Sequence, residues 1–240
     1  MLCNVADLIT DIPAADGMSV RCQEYLYGGE LGADVTIRAE LYRNHLYTPN
    51  TLPENIAYLE SAGQFYRALI DFNGFFLHSS CVVYNRRAYL FSGDSGAGKS
   101  THARLWLSTL GGDARIINDD KPALRCLDGI WYAYGTPWCG KDGINANERA
   151  PIAGVCFMKQ SDHNEIRKLS SSEALKLLLR QTIYKFTDLR QLDALTRNLD
   201  DFLAKIPVFE LENLPVPDAA RLCYKTLMGA APEIPYEDQI

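Results

Sequence analysis

One run constrains this chain more than any other: Gly93-Asp94-Ser95-Gly96-Ala97-Gly98-Lys99-Ser100, a complete G-x-x-x-x-G-K-S pattern. The apolar segment Ala88-Tyr89-Leu90-Phe91-Ser92 leads into it, and an amphipathic stretch ending near Leu110 follows it. A strand, a tight loop and a helix satisfy that order. The glycines let the backbone curl so that successive N–H groups face inward, and the helix N-terminus adds the positive end of its dipole. The pattern therefore predicts a phosphate-binding loop. In it Lys99 reaches the β and γ phosphates of a nucleoside triphosphate such as ATP, and the Ser100 hydroxyl holds Mg2+. The expected nucleotide-contacting set is Gly93, Asp94, Ser95, Gly96, Ala97, Gly98, Lys99, Ser100 and Thr101.

The flanking pattern is strand-rich. Residues 77–84 and 88–92 read as two strands joined only by Asn85-Arg86-Arg87, which predicts a β-hairpin whose second strand feeds the loop. This is unlike common nucleotide-binding folds, where the strand before the loop neighbours parallel strands through crossover helices. The loop helix is expected over 98–110, closed by Gly111-Gly112. A short strand at 115–118, a hairpin of 123–126 with 130–134 around Asp128-Gly129, and an apolar strand at 152–159 follow. Helices are expected at 172–184, 188–204 and 217–228, with a strand at 208–211 before the last. Upstream, 20–27, 34–38 and 40–47 are rich in β-branched and aromatic residues and read as strands, and 55–71 has helical spacing. The expected organisation is a strand-rich portion with a helix over 1–74, a main domain over 75–230, and a loose, Pro-rich, acidic tail over 231–240.

Composition narrows the function classes. The 240 residues are 47% hydrophobic and 22% charged, enough for a sizeable core. A net charge of −6 argues against nucleic acid bound on a broad basic surface, while leaving room for an anionic ligand in a locally positive pocket. The seven cysteines, with no C-x-x-C pair, point away from a disulfide framework or zinc cage and toward a reducing cytoplasm. No apolar run approaches a membrane span, and no membrane partner is expected.

An enzyme built on such a loop needs an acidic residue near the metal at the end of a neighbouring strand. Asn118-Asp119-Asp120 follows the apolar Ile116-Ile117, with Asp119 20 residues beyond Lys99. One carboxylate suits Mg2+, and the other suits the proton of an attacking hydroxyl. The two roles are not divided between Asp119 and Asp120 by sequence.

The stretch LHSSCVVYNRRAYLFSGDSGAGKS, followed by INDD, resembles the catalytic domain of HPr kinase/phosphorylase, whose fold is shared with phosphoenolpyruvate carboxykinases. The resemblance covers roughly 75–160. It implies an α/β fold with a mixed sheet and a P-loop, preceded here by the strand-rich N-terminal portion. It also implies ATP-dependent phosphorylation of a hydroxyl, with Asp119 and Asp120 in metal and base roles and His78 beside them. Two departures mark a divergent member: Thr101 stands where the family carries Glu, and Asn147-Glu148-Arg149-Ala150-Pro151 replaces an E-x-R-G-type run.

Supporting residues complete the expectation. His78 is placed to hydrogen-bond one Asp of the pair or to sit near the metal. Arg149 offers a guanidinium to neutralise charge on the transferring phosphoryl group. The loop Gly135-Thr136-Pro137-Trp138-Cys139-Gly140-Lys141 brings Lys141 as a contact to phosphate or acceptor. Cys139 has no neighbouring base to activate it. His102 is expected on the surface of the loop helix, and His163 stands without ligand spacing. The sequence thus reads as a kinase moving the γ-phosphoryl of ATP, with Mg2+, to a hydroxyl on a protein, peptide or small molecule. A non-catalytic nucleotide-binding regulatory module and a carboxykinase-like enzyme are the alternatives, and self-association into a homo-oligomer is left open.

Overall fold

The computed structural model describes residues 1–15, 17–39, 52–182 and 188–234. The chain opens with a small sheet. β1 (Leu2–Val5) and β2 (Leu8–Asp11) form an antiparallel hairpin, and the two-residue β3 (Val35–Thr36) pairs parallel with the end of β2. Between them lie α1 (Met18–Arg21) and a 3-10 turn (Gln23–Tyr25). Of residues 20–27, expected as a strand, the stretch up to Tyr25 is helical instead, and Leu26 makes only an isolated bridge to Cys3. Met18, Cys22 and Tyr25 are all buried, and that spacing is a helix face which overrides the local β propensity. The strand expected at 34–38 shrinks to β3, and the one at 40–47 lies outside the described residues.

Helix α2 (Pro53–Leu69) leads through a 3-10 turn (Ile70–Phe72) into β4 (Gly74–Phe76). The hairpin of β5 (Ser79–Tyr84) and β6 (Arg87–Ser92) follows, antiparallel as expected. Its turn is tighter than the sequence suggests: Arg87 pairs with Tyr84, so only Asn85 and Arg86 turn the chain, both with positive φ (48° and 59°). That is the two-residue geometry whose twist matches the flanking strands. The next elements are α3 (Lys99–Leu110), β7 (Arg115–Asn118), the hairpin β8 (Ala123–Leu127) and β9 (Ile130–Tyr134), and the long β10 (Arg149–Gln160). Finally come β11 (Glu165–Lys168), α4 (Ser171–Gln181), α5 (Leu189–Lys205), β12 (Val208–Asn213) and α6 (Pro217–Ala230).

The main sheet is mixed and curls around β10. One edge of β10 pairs parallel with β6, continuing to β5 and β7. Its first three residues pair antiparallel with β9, which continues to β8 and β4, while its last six pair parallel with β12 and then β11. The central strands are buried on both faces, so they read as unbroken apolar runs. Alternate residues serve opposite cores. Cys81, Val83, Ala88 and Leu90 face Leu178 of α4 and Leu195, Leu199 and Phe202 of α5. Val82, Tyr89 and Phe91 face Trp106 of α3 and Cys223 and Leu227 of α6. A third core joins Cys3, Val5, Tyr25, Phe65 and Tyr66 to Ala123, Tyr132, Tyr134 and Trp138. Residues on both sides of position 74 therefore share one packed cluster. Of the tail, the described part is held at Pro232, whose carbonyl accepts from Arg87 at 2.6 Å. Among the described residues, no helix is long and apolar enough to cross a membrane.

This topology gathers three segments at one sheet end. β6 points its C-terminal end into the 93–98 loop. β5 runs antiparallel to it, so His78, just ahead of β5, lies level with the start of that loop. β7 runs antiparallel to β5, with Asn118 opposite Cys81, which carries Asp119 and Asp120 to the same end.

Candidate active site

The glycine-rich loop leaves β6 with Gly93 at φ 141°, and turns again at Gly96 (φ 82°) and Gly98 (φ 96°). Gly93 has a second constraint: a Cβ there would sit 2.9 Å from the Met158 carbonyl oxygen of β10, against backbone that does not yield. At Gly96 and Gly98 a Cβ would meet nothing within 4 Å, so their outer side is open. The loop is tied to β10 by Gln160 Nε2, which donates to Gly96 O at 2.7 Å. Lys99, the first residue of α3, folds back over the loop and donates to Gly93 O (2.9 Å) and Asp94 O (3.1 Å). Burial pulls the Lys99 pKa down, opposed by the carboxylates of Asp120, Asp94 and Asp119. Ser100 and Thr101 continue the first turn of α3, Ser100 half-buried and Thr101 exposed.

Two adjacent carboxylates on a continuing strand would point to opposite faces. Asn118 prevents that. Its Oδ1 accepts from the backbone N–H groups of Asp120 (3.0 Å) and Lys121 (2.6 Å), which turns the chain as β7 ends. Its Nδ2 donates to Thr136 O (3.2 Å) and Trp138 O (3.3 Å), anchoring the turn to the 135–141 loop. Asp119 accepts from Ser80 Oγ at 2.6 Å. Asp120 Oδ1 lies 3.1 Å from His78 Nε2, and Oδ2 takes the Lys121 ammonium. Burial by itself would raise the Asp120 pKa. The hydrogen bond from His78 and the charge of Lys121 outweigh it and hold the carboxyl at about 2.

His78 is fixed from its other side. Its Nδ1 lies 3.1 Å from Gln181 Oε1, its backbone N–H donates to Gln181 O at 2.8 Å, and its carbonyl accepts from Ser92 Oγ at 2.8 Å. Gln181 Nε2 then donates to Asp94 Oδ1 at 3.1 Å. One chain of contacts thus runs from Asp120 through His78 and Gln181 to Asp94 in the loop.

Arg149 is not brought to this site. It opens β10, three residues before Ile152 pairs with the start of β6, whereas the loop leaves the end of β6. Its guanidinium instead pairs with Asp7 in the β1–β2 turn, donates to Tyr134 Oη at 3.2 Å and lies over the Tyr132 ring at 4.8 Å. Glu148 pairs with Arg115 at 2.7 Å. His102 also departs from expectation: it is wholly buried, accepts from Trp106 Nε1 at 3.0 Å, and burial pushes its pKa down to about 4. His163 does not stand alone, since it meets Glu212 at 3.1 Å and Asp162 at 2.9 Å in an exposed cluster that Lys159 also joins.

The 135–141 loop is largely structural at its centre. A Cβ on Gly135 would overlap the Ala146 carbonyl oxygen. Trp138 is a buried plug, its ring 4.8 Å from Phe65 and its Nε1 donating to Ser61 Oγ at 2.9 Å. Burial raises the Cys139 thiol pKa, which suits an inert thiol. Its far end, Cys139, Gly140 and Lys141, meets Asp120 and Lys121 along a cavity.

Sequence reading missed Ser80, Asn118, Lys121, Tyr58 and Gln181. Asn118 and Ser80 carried a signal: an Asn at a strand end is a turn former, and Ser80 shares a strand face with His78. Gln181 ends a helix 103 residues beyond His78 and carried none.

No family model matches the chain, and no curated protein sequence matches it. Among solved structures, it is similar to that of the Hpr(Ser) kinase/phosphatase from Coxiella burnetii, at 9% identity, over 63% of this chain and 94% of that one, with a TM-score of 0.36. A likeness that slight adds nothing to the geometry above, which is what the functional reading rests on.

Proposed function

We propose that the chain is a phosphotransferase that binds ATP at the 93–100 loop and moves its γ-phosphoryl group to a hydroxyl acceptor. The observation that carries this reading is the convergence at one sheet end. The loop, Lys99, and a carboxylate pair turned by Asn118 sit together, with His78 bonded to Asp120. A glycine-rich turn serving structure alone has no need of two carboxylates aligned with its lysine.

The residues fit the nucleotide and its metal. The curled backbone with an open outer side at Gly96 and Gly98 suits phosphate oxygens, and Lys99 exchanges its loop carbonyls for them. Ser100 and Asp119 are the hard oxygen donors for Mg2+, which supplies charge neutralisation on the phosphates. Ser80 orients Asp119. Asp120 lines the adjoining cavity and so faces the acceptor. With its carboxyl held near 2 it is ionised throughout the neutral range but a weak base, which suits it to orient the hydroxyl and to accept its proton only late, as the new O–P bond forms and the hydroxyl becomes acidic. His78 and Gln181 position Asp120 relative to the loop. Catalysis in this arrangement is mostly positioning and charge neutralisation, as a loose phosphoryl-transfer transition state requires. Calorimetric titration with ATP and Mg2+, followed by transfer of labelled γ-phosphate to candidate acceptors, tests it. A protein that binds no ATP is not this enzyme.

A further inference from the structure

The cavity bordering Asp120 has a chemistry of its own. It holds about 320 Å3, and its wall comes from two parts of the chain: Met18, Arg21 and Tyr58 of α1 and α2, and Asp120, Lys121 and Lys141 of the sheet end. A separate cavity of about 310 Å3 borders Gly96, Gly98 and Thr101 themselves. The two cavities share no lining residue, so on the phosphotransferase reading a nucleotide held at the loop leaves the Asp120 cavity for the second substrate.

Its charge is the informative feature. In a chain of net charge −6, three cations face this space. Lys121 is committed to Asp120 and to Tyr58 Oη (3.2 Å). Arg21 is half-buried, with its guanidinium carbon 5.0 Å from the Tyr58 ring centroid. Among the described residues its one side-chain hydrogen bond goes to the Cys139 thiol at 3.1 Å, a weak acceptor. Lys141 has no ion-pair partner among the described residues. Among the described residues the only other acid in the lining is Glu54, which is exposed. A stacked guanidinium that spends one of its five donors on a described residue matches a carboxylate in bidentate fashion.

The geometry points to a small hydroxy acid as the phosphoryl acceptor, its carboxylate on Arg21 and Lys141 and its hydroxyl at Asp120. This rests on the phosphotransferase reading above and deepens it. The hydroxyl oxygen attacks the γ-phosphorus of ATP and forms the new O–P bond. The bond from that phosphorus to the β–γ bridging oxygen breaks, and its electron pair leaves with ADP. The hydroxyl proton passes to the Asp120 carboxylate and then to water. Residues 18–58, remote in sequence from the loop, thereby supply acceptor selection.

The test is transfer from labelled ATP to D-glycerate, L-lactate and 3-hydroxybutyrate, each beside its neutral partner glycerol, L-lactamide or 3-hydroxybutanamide. The expected result is an acid that accepts at least roughly tenfold better in kcat/KM than its neutral partner, the effect of one lost charged contact. Arg21→Gln should raise the acceptor KM by about the same factor while the KM for ATP holds, and Arg21→Lys should restore part of it. Lys141→Gln, at an exposed position, should move the same parameter in the same direction. Neutral partners accepting as well as the acids would overturn the inference. So would an unchanged acceptor KM in both Arg21→Gln and Lys141→Gln. Lys99-dependent ATP binding with no transfer to any of the three acids would overturn it too, while leaving the phosphotransferase reading in place. Absence of ATP binding in the unaltered protein would remove both.

Discussion

His78 Nε2 lies 3.1 Å from Asp120 Oδ1, joining the residue ahead of β5 to the turn that follows β7. That contact, with the Lys121 ammonium on the other oxygen, holds the Asp120 carboxyl at about 2 against the opposing pull of burial. A carboxyl whose folded pKa lies below its ordinary value of 3.8 contributes stability that is complete above that value and is lost as pH falls through about 2. The melting temperature of the unaltered protein should therefore exceed that of Asp120→Asn near pH 5, and the gap should close as pH approaches 2. A gap that stays constant over that range would show that the pairing is not made in solution.

The carboxylate pair should fail in two different ways. Asp119→Asn removes a metal donor, so phosphoryl transfer should need more Mg2+ and recover partly when it is supplied. Asp120→Asn should leave the Mg2+ requirement near normal and cut turnover by roughly 10²–10⁴-fold. Titrating Mg2+ against transfer for each variant checks the division. Either variant keeping full turnover at every Mg2+ level removes that residue from the mechanism.

His102 carries a separate pH signature. Its folded pKa of about 4 lies below the ordinary 6.5 because it is buried, so the unfolded chain takes up a proton that the native state refuses. Stability should fall by about 3 kcal/mol as pH drops from 6.5 to 4 on this account alone. Denaturant unfolding across that window should show a flatter slope for His102→Gln than for the unaltered protein.

Gly93 is the loop position least able to change. At φ 141°, with a would-be Cβ 2.9 Å from Met158 O and 3.2 Å from the Ala97 Cβ, Gly93→Ala must displace either the loop or β10. Equilibrium unfolding should show a loss of roughly 1–3 kcal/mol, with ATP binding weakened beyond what the stability change explains. Gly112→Ala, where a Cβ would meet only the Tyr84 ring at 3.9 Å, should leave ATP binding intact.

Much of this site was legible because it is local. The 93–100 loop, the tight hairpin before it and Asp119-Asp120 each carry their signal within a few residues, and the antiparallel β5–β6 pairing follows from the short turn. What stayed hidden is long-range. Gln181 reaches His78 from the end of α4, and Arg21 and Tyr58 reach Asp120's cavity from helices of the N-terminal portion, through packing that no short pattern encodes. Arg149 shows the opposite error. Its place in a familiar-looking run suggested the active site, while its strand register sets it at the far end of β10, where Asp7 and Tyr134 hold it. Residues 20–25 show local β propensity losing to the helical burial of Met18, Cys22 and Tyr25.

The most direct measurement is calorimetric titration of ATP with Mg2+ into the unaltered protein and into Lys99→Ala. The account predicts saturable binding by the first and at least a roughly tenfold loss of affinity in the second, both folded by circular dichroism, since Lys99 is the cation over the loop. Equal affinity in the two proteins, or no binding by either, would contradict it.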